Sequence, residues 1–367
     1  MIEFPDYQNC LVNLSSSILQ EFGVNCAHSG LQILDQTFSA RRYQNVVLFV
    51  IDGMGVKALQ DHLPPAAFLN QQMAQTISSV FPPTTTAATT SLLSGKTPAE
   101  HGWLGWDLFF PELQQIVVPF LNTVKDSTVP ASVSNAAGTF LPYTDILTQI
   151  QRTSTAEAYL LSQFANPPIR TLDEILEKIA ILTGHGGRKF IYAYWNEPDA
   201  TMHTEGCRTP AVRDILLDLN QRIEKLSMKL NDTLLILTAD HGHINITNRV
   251  IADYPELAKM LAMPTSIEPR AVSFHLKREF REQFPAVFNQ YFGEDFLLFS
   301  HDEVFEKQLF GTGKVNLHTR GSLGDFLAAA VKDTALVYSD RSRQFKSHHA
   351  GLTTDEMRVP LILAALE

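Results

Sequence analysis

Three stretches of this 367-residue chain read as strands covered on both faces: Asn45–Ile51, Lys189–Tyr194 and Thr233–Thr238. A strand with one wet face alternates apolar and polar residues. These runs stay apolar and β-branched, the pattern of a parallel sheet with helices on both sides. Between the second and third runs, Thr209-Pro210 places a capping hydroxyl and a first-turn proline. Val212, Ile215, Leu216, Leu219, Ile223, Leu226 and Leu230 follow at helical spacing. The unit is therefore strand–helix–strand, with a right-handed crossover. Each run ends in acid: Asp52 after the first, Glu197-Pro-Asp199 after the second, Asp240 after the third. Parallel strands deliver all three carboxylates to one sheet edge, where open α/β sheets bind ligands. A carboxylate there is costly to bury unless it is paired or bound to a metal, although a helix-capping Asp52 is the plain alternative. Residues 8–22 carry Leu11, Leu14, Ile18 and Phe22 at helical spacing and read as a packing helix.

A second stretch is unusual in composition. Ile77–Phe81 reads as a strand end, Pro82 and Pro83 stop it, and Thr85–Leu93 reads as the start of a helix. A hydroxyl is thereby set at a helix N-terminus, where free amides and the helix dipole favour an anion. Ordinary capping by a Thr/Ser-rich turn is the bland alternative. A rival motif, Gly53-Met-Gly55-Val-Lys-Ala58, fits the start of a dinucleotide fingerprint, but no acid lies between Asp61 and Glu100 where the ribose partner belongs.

Further potential ligands are spread along the chain. Asp199 and His203 lie four apart, on one face of a helical turn. Asp240-His241-Gly242-His243 closes the third strand, and Lys346-Ser-His348-His349-Ala-Gly351 comes late. From 246 to 340 the pattern is broken by Pro255, Pro264, Pro269 and Pro285, and reads as a smaller α+β subdomain inserted over the site. The main sheet is expected to resume at Ala335–Tyr338 and to end with a strand near Val359–Ala364. Residues 1–245 and 341–367 would form the catalytic core. Gly311-Thr-Gly-Lys314 is no phosphate-binding loop, since the upstream glycine is missing and Val315 replaces Ser or Thr.

The net charge of −10 argues against a nucleic-acid groove or an affinity for anionic membranes. It does not exclude a phosphate substrate, because bound metal can reverse the sign locally. Cys10, Cys26 and Cys207 are too few and too scattered for a disulfide framework, and neither a signal peptide nor a membrane span is visible. A cytoplasmic protein is the expectation.

Taken together, Asp52-Gly, the block Phe81-Pro…Thr85…Ser94-Gly95…Pro98…His101-Gly102, Glu197-Pro-Asp199…His203, Asp240-His241-Gly242 and His349 resemble the alkaline phosphatase superfamily. The likeness is greatest to its nucleotide pyrophosphatase/phosphodiesterase branch. It implies an alkaline-phosphatase-like α/β fold and a two-metal site holding zinc, with manganese as second choice. By the same likeness one ion takes Asp199, His203 and His349, the other takes Asp52, Asp240, His241 and the hydroxyl of Thr85, and Thr85 is the nucleophile. Three His and three Asp suit zinc, and metal coordination activates a threonine hydroxyl. The implied activity is hydrolysis of small soluble phosphate esters. A phosphonate hydrolase, phosphomonoesterase or phosphomutase is the alternative within the superfamily, and a non-catalytic metal-binding protein the alternative outside it. The chain departs from the family at Ala88, where the branch carries Asn, so Arg270 and Lys314 of the insertion are candidates to supply the missing donor.

Overall fold

In a computed structural model describing residues 1–339 and 345–367, the three apolar runs lie side by side at the centre of one sheet. Its strands in chain order are β1 (Asn45–Ile51), β2 (Met73–Ser78), β3 (Glu157–Leu161), β4 (Lys189–Trp195), β5 (Thr233–Thr238) and β6 (Arg358–Leu366). Their spatial order is β2-β6-β5-β1-β4-β3. The pairings β3–β4, β4–β1 and β1–β5 are parallel. The sheet is mostly parallel, as expected, with β6 inserted antiparallel between β5 and β2. Val46 to Ile51 of β1 are all 0 % exposed, as their unbroken apolar run demands.

Four helices position the site: α1 (Leu11–Glu21), α2 (Thr85–Ser94), α3 (Asp199–Glu205) and α4 (Pro210–Ser227). Helix α1 buries Leu11, Leu14 and Ile18 and is tied to α2 where Ser15 Oγ donates to the Leu92 carbonyl at 2.8 Å. Helix α4 is capped by Thr209, whose hydroxyl accepts from the Val212 amide. It buries Val212, Leu216, Leu219, Ile223 and Leu226 against the sheet, and Leu230 lies beyond its end.

The second body of the protein contains an antiparallel sheet within 246–340, with strands Ser266–Glu268, Ala271–Phe274, Phe326–Ala330 and Phe296–Ser300 in spatial order. Phe284, Phe288 and Phe292 of one helix pack on it at helical spacing. A three-stranded sheet, Leu108–Phe110, Gln115–Val118 and Thr123–Val124, shares a core with it, and Asp107 bridges to Ile267. Thr334–Val337 does not resume the main sheet, as expected from its apolar run, but pairs in parallel with Thr247–Val250 as a separate ribbon. The expected boundary between insertion and core at 340/341 lies outside the described residues. Arg270 joins the second body to the C-terminal segment: buried at 0 % exposure, it forks onto Glu356 at 2.7 and 2.8 Å and donates to the carbonyls of Thr334 and Lys332.

Candidate two-metal active site

Parallel pairing sets the site's geometry. Ile51 is in register with Trp195. The chain beyond them stays paired, with the Asp52 amide donating to the Trp195 carbonyl at 2.9 Å and the Asp199 amide to the Asp52 carbonyl at 3.2 Å. Asp52, Asp199 and Asp240 thus gather at the carboxyl edge of β1, β4 and β5. Two glycines permit the crowding. Gly53 turns with φ +72°, and a Cβ on it would lie 3.0 Å from that of Asp199. A Cβ on Gly242 would meet the Asp355 carbonyl at 1.9 Å, and one on Gly55 would lie 2.5 Å from the Gly242 Cα. Backbone fills the Gly53–Gly55 turn, so the turn presents no cradle for a dinucleotide.

Four imidazoles point into this acidic cluster, and their hydrogen bonds decide which nitrogen faces inward. His203 Nδ1 meets the Ser347 carbonyl at 2.9 Å, His349 Nδ1 the Pro83 carbonyl at 3.1 Å and His241 Nδ1 the Gly242 carbonyl at 3.1 Å. A carbonyl only accepts, so each Nδ1 carries a proton and each Nε2 is the nitrogen turned inward. His243 Nδ1 contacts Ser347 Oγ at 3.1 Å, and that hydroxyl gives its own hydrogen to the Met202 carbonyl at 2.6 Å. Its Nε2 is left as an acceptor. The inward nitrogens sort into two groups. His243, His203 and His349 lie 2.5, 3.4 and 3.9 Å from Asp199 Oδ1. His241 lies 3.3 Å from Asp52 Oδ1 and 3.6 Å from Asp240 Oδ2. Asp199 also comes within reach of the second group, so the two are contiguous.

This donor set suits divalent cations. Asp240 Oδ1 accepts from the Gly53 and His241 amides at 3.1 and 3.0 Å, while its buried Oδ2 has no partner. Asp52 is held by Tyr194, whose hydroxyl donates to Oδ2, so that Oδ1 faces the site. Burial, then the neighbouring carboxylates, raise Asp52 and push Asp240 well above the usual carboxylate range. Burial and adjacent imidazoles hold His243 and His349 well below the usual imidazole range. For His241 burial works against the charged ring, but Asp240 and Asp52 outweigh it and push it up to about 10. Accumulated acid and inward lone pairs are both relieved by cations. One group offers one carboxylate and three imidazole nitrogens, the other carboxylates, an imidazole and a hydroxyl, which are zinc-type ligands.

Thr85 is the first residue of α2 and half-buried. Its Oγ1 lies 3.2 Å from His241 Nε2 and 3.4 Å from Asp52 Oδ1. Its neighbours turn elsewhere: Thr84 donates to Glu268 Oε1 at 2.6 Å, and the Thr86 hydroxyl is buried without a partner. The helix start carries no side-chain cap. Every residue expected from the sequence, Asp52, Thr85, Asp199, His203, Asp240, His241 and His349, is brought to this place. His348 is close by, but its Nδ1 is turned to the His349 backbone, 2.9 Å from the amide and 3.0 Å from the carbonyl, and it joins neither ligand group.

The model of the type I phosphodiesterase / nucleotide pyrophosphatase family matches residues 46–351. The chain belongs to this family. It is a family of phosphoester hydrolases within the alkaline phosphatase superfamily. Among solved structures, murine ectonucleotide pyrophosphatase / phosphodiesterase 5 is similar with a TM-score of 0.66 at 16 % identity, covering 86 % of this chain and 87 % of that one. A second structure of that protein is an inactive threonine-to-alanine variant in complex with AMP. Phosphonoacetate hydrolase from Sinorhizobium meliloti 1021, in complex with phosphonoformate, is similar with a TM-score of 0.65 at 14 % identity, covering 89 % and 92 %. No curated protein matches the sequence.

For this family member, sequence reasoning missed four residues at the site. His243 stood in the same short motif as His241. Tyr194 was legible only as a strand residue, while Ser347 and Glu268 carried no signal. The candidate donors Arg270 and Lys314 are both displaced: Arg270 is consumed by Glu356, and Lys314 is exposed outside the pocket. Ala88 is 0 % exposed, packs in the main core and is not among the pocket's lining residues. Beside the ligand groups opens a cavity of about 510 Å³, lined by Trp106, Lys125, Glu268 and Tyr338 among others. Lys125 is the one lysine or arginine among its described lining residues, and it is paired with Asp107 at 2.5 Å. Burial raises Glu268 to about 7. Among the described residues no helix is long and apolar enough to cross a membrane.

Proposed function

We propose that this chain hydrolyses small soluble phosphate esters, with Thr85 as nucleophile and two divalent cations, zinc foremost, held by Asp199, His203 and His349 and by Asp52, Asp240, His241 and Thr85. The observation that carries this reading is the convergence of four inward-facing Nε2 atoms and three carboxylates beside the one threonine hydroxyl aimed at them. The inactive threonine variant of the murine neighbour agrees with it. When bound, the cations would act as Lewis acids on the phosphoryl oxygens and lower the pKa of the attacking hydroxyl. The residues supply the rest. Asp52 and His241 hold Thr85 Oγ1 at the mouth of the cavity. Oγ1 releases its proton to solvent and forms a bond to phosphorus as the bond to the leaving oxygen breaks, and the departing alkoxide takes a proton from solvent. Water then attacks the phosphothreonine, Oγ1 leaves and regains a proton, and phosphate or a phosphomonoester is released. The uncapped start of α2 directs backbone amides at the phosphoryl oxygens. The second body, including 246–340, acts as a cap that encloses the leaving group. Unpaired Cys10, Cys26 and Cys207 fit a reducing compartment such as the cytoplasm.

The fold neighbours include a phosphodiesterase and a phosphonate hydrolase at nearly equal similarity, so the substrate class is tested directly. The zinc-replete protein is assayed against a nucleoside nitrophenyl diester, a nitrophenyl monoester and phosphonoacetate. Turnover of a phosphate ester, lost on chelation and restored by zinc, is the expected result. Turnover of phosphonoacetate alone would move the chain to the phosphonate class, and no turnover of any of them by a metal-loaded protein would overturn the catalytic reading.

A further inference from the structure

The geometry points to His243 as a fourth protein ligand of the cation at Asp199, a role that rests on the two-metal reading above. Its Nε2 lies 2.5 Å from Asp199 Oδ1. Ser347 Oγ, whose hydrogen goes to the Met202 carbonyl, holds the proton of His243 on Nδ1. Two lone-pair-bearing atoms therefore face each other at hydrogen-bond distance with no hydrogen between them. A shared cation removes that conflict. The ring is buried among other imidazoles, with centroids 4.7 Å from His203, 5.1 Å from His349 and 5.6 Å from His241. The four ligand atoms of Asp199, His203, His243 and His349 lie within 4.8 Å of one another.

The fourth ligand changes what this ion does. Three protein ligands leave a tetrahedral zinc one open position, whereas four close it, and substrate then binds only by expansion to five. With His243 the Asp199 group offers four protein donors, as the group of Asp52, Asp240, His241 and Thr85 already does.

Cobalt(II) provides a test independent of turnover. Metal-free protein is titrated with Co²⁺ in the wild type, in His243→Ala and in His243→Gln, the last keeping most of the volume. Visible absorption and affinity are recorded, and far-ultraviolet circular dichroism of the metal-free forms checks folding. Loss of an outer hydrogen-bond partner typically weakens metal binding about 10–100-fold. Loss of a direct ligand is expected to weaken one of the two sites by more than about 100-fold and to change the visible bands. Imidazole added to His243→Ala should restore both. Folded variants with wild-type spectra and affinities would overturn the role of His243. A wild type that binds no Co²⁺ or Zn²⁺ would overturn the two-metal reading itself.

Discussion

The imidazoles of His241 and His349 stack with ring centroids 3.7 Å apart and an interplanar angle of 21°. One follows β5, the other comes from the C-terminal segment, and each belongs to a different ligand group. The two groups are therefore fixed relative to each other by direct ring contact as well as by the backbone. Replacing His349 removes a ligand and this packing together. His349→Ala is expected to lose about one bound zinc per chain and activity by orders of magnitude. His348→Ala is expected to keep both, because His348 Nδ1 is turned to the His349 backbone and the residue joins neither ligand group. Elemental analysis after gel filtration, beside kcat/KM, makes the comparison, and the reverse ranking would mean that the ligand is misassigned.

Thr85 alone of its triplet faces the acid and imidazole groups. Thr85→Ala should abolish turnover with metal content intact. Thr84→Ala loses one hydrogen bond to Glu268 and should remain active, at a stability cost of about 1 kcal/mol. Thr86→Val replaces a buried hydroxyl that has no partner and should be neutral or stabilising. Wild-type turnover by Thr85→Ala would replace the covalent route with direct attack by water.

Glu268 gives the metal-free protein a pH dependence. Its folded pKa, about 7, is raised above the ordinary value of 4.5 by burial. Between those values the folded state holds a proton that the unfolded state has released, so stability falls as pH rises through the window. Above about 7 the penalty is complete. Glu268→Gln keeps an acceptor for Thr84 and for the Trp106 amide without the charge. It should flatten this contribution and stabilise the protein at pH 8 by up to about 3 kcal/mol. Urea unfolding in chelator at pH 5 and pH 8 reads the difference, and parallel curves for variant and wild type would contradict the expectation.

Ala88→Asn restores the residue type found in the related branch, yet the site should not gain from it. Ala88 lies in the main core at 0 % exposure. A buried amide without partners costs about 1–3 kcal/mol. A lower melting temperature with no rise in diester kcat/KM is expected. A gain in diester activity would show that α2 presents this position to substrate.

Much of the site was legible because its residues follow strands of unmistakable pattern. Asp52, Asp199 and Asp240 each close an apolar run, and parallel strands must deliver their ends to the same edge. Two prolines and a helix start placed a hydroxyl at the site, and the family likeness singled out Thr85. The ribbon Thr334–Val337 was misread because a short apolar run says only that a strand is buried, not which sheet it joins. The donors Arg270 and Lys314 were misjudged for a related reason: a charged residue in an irregular segment carries no mark of where it points.

The amino-acid order alone determined the strand–helix–strand core and the edge at which carboxylates gather, which rest on periodicity and on local capping over a few residues, and the family resemblance, which rests on short motifs in a fixed order. Tertiary structure decided the antiparallel insertion of β6, the union of 108–124 with the second body, and the capture of Arg270 by Glu356. It also decided that the Nε2 of His243 faces Asp199. That orientation depends on Ser347, 104 residues away, whose hydroxyl is itself committed to Met202. A hydrogen bond over such a separation leaves no periodic trace in sequence, and only the folded chain brings the three groups together.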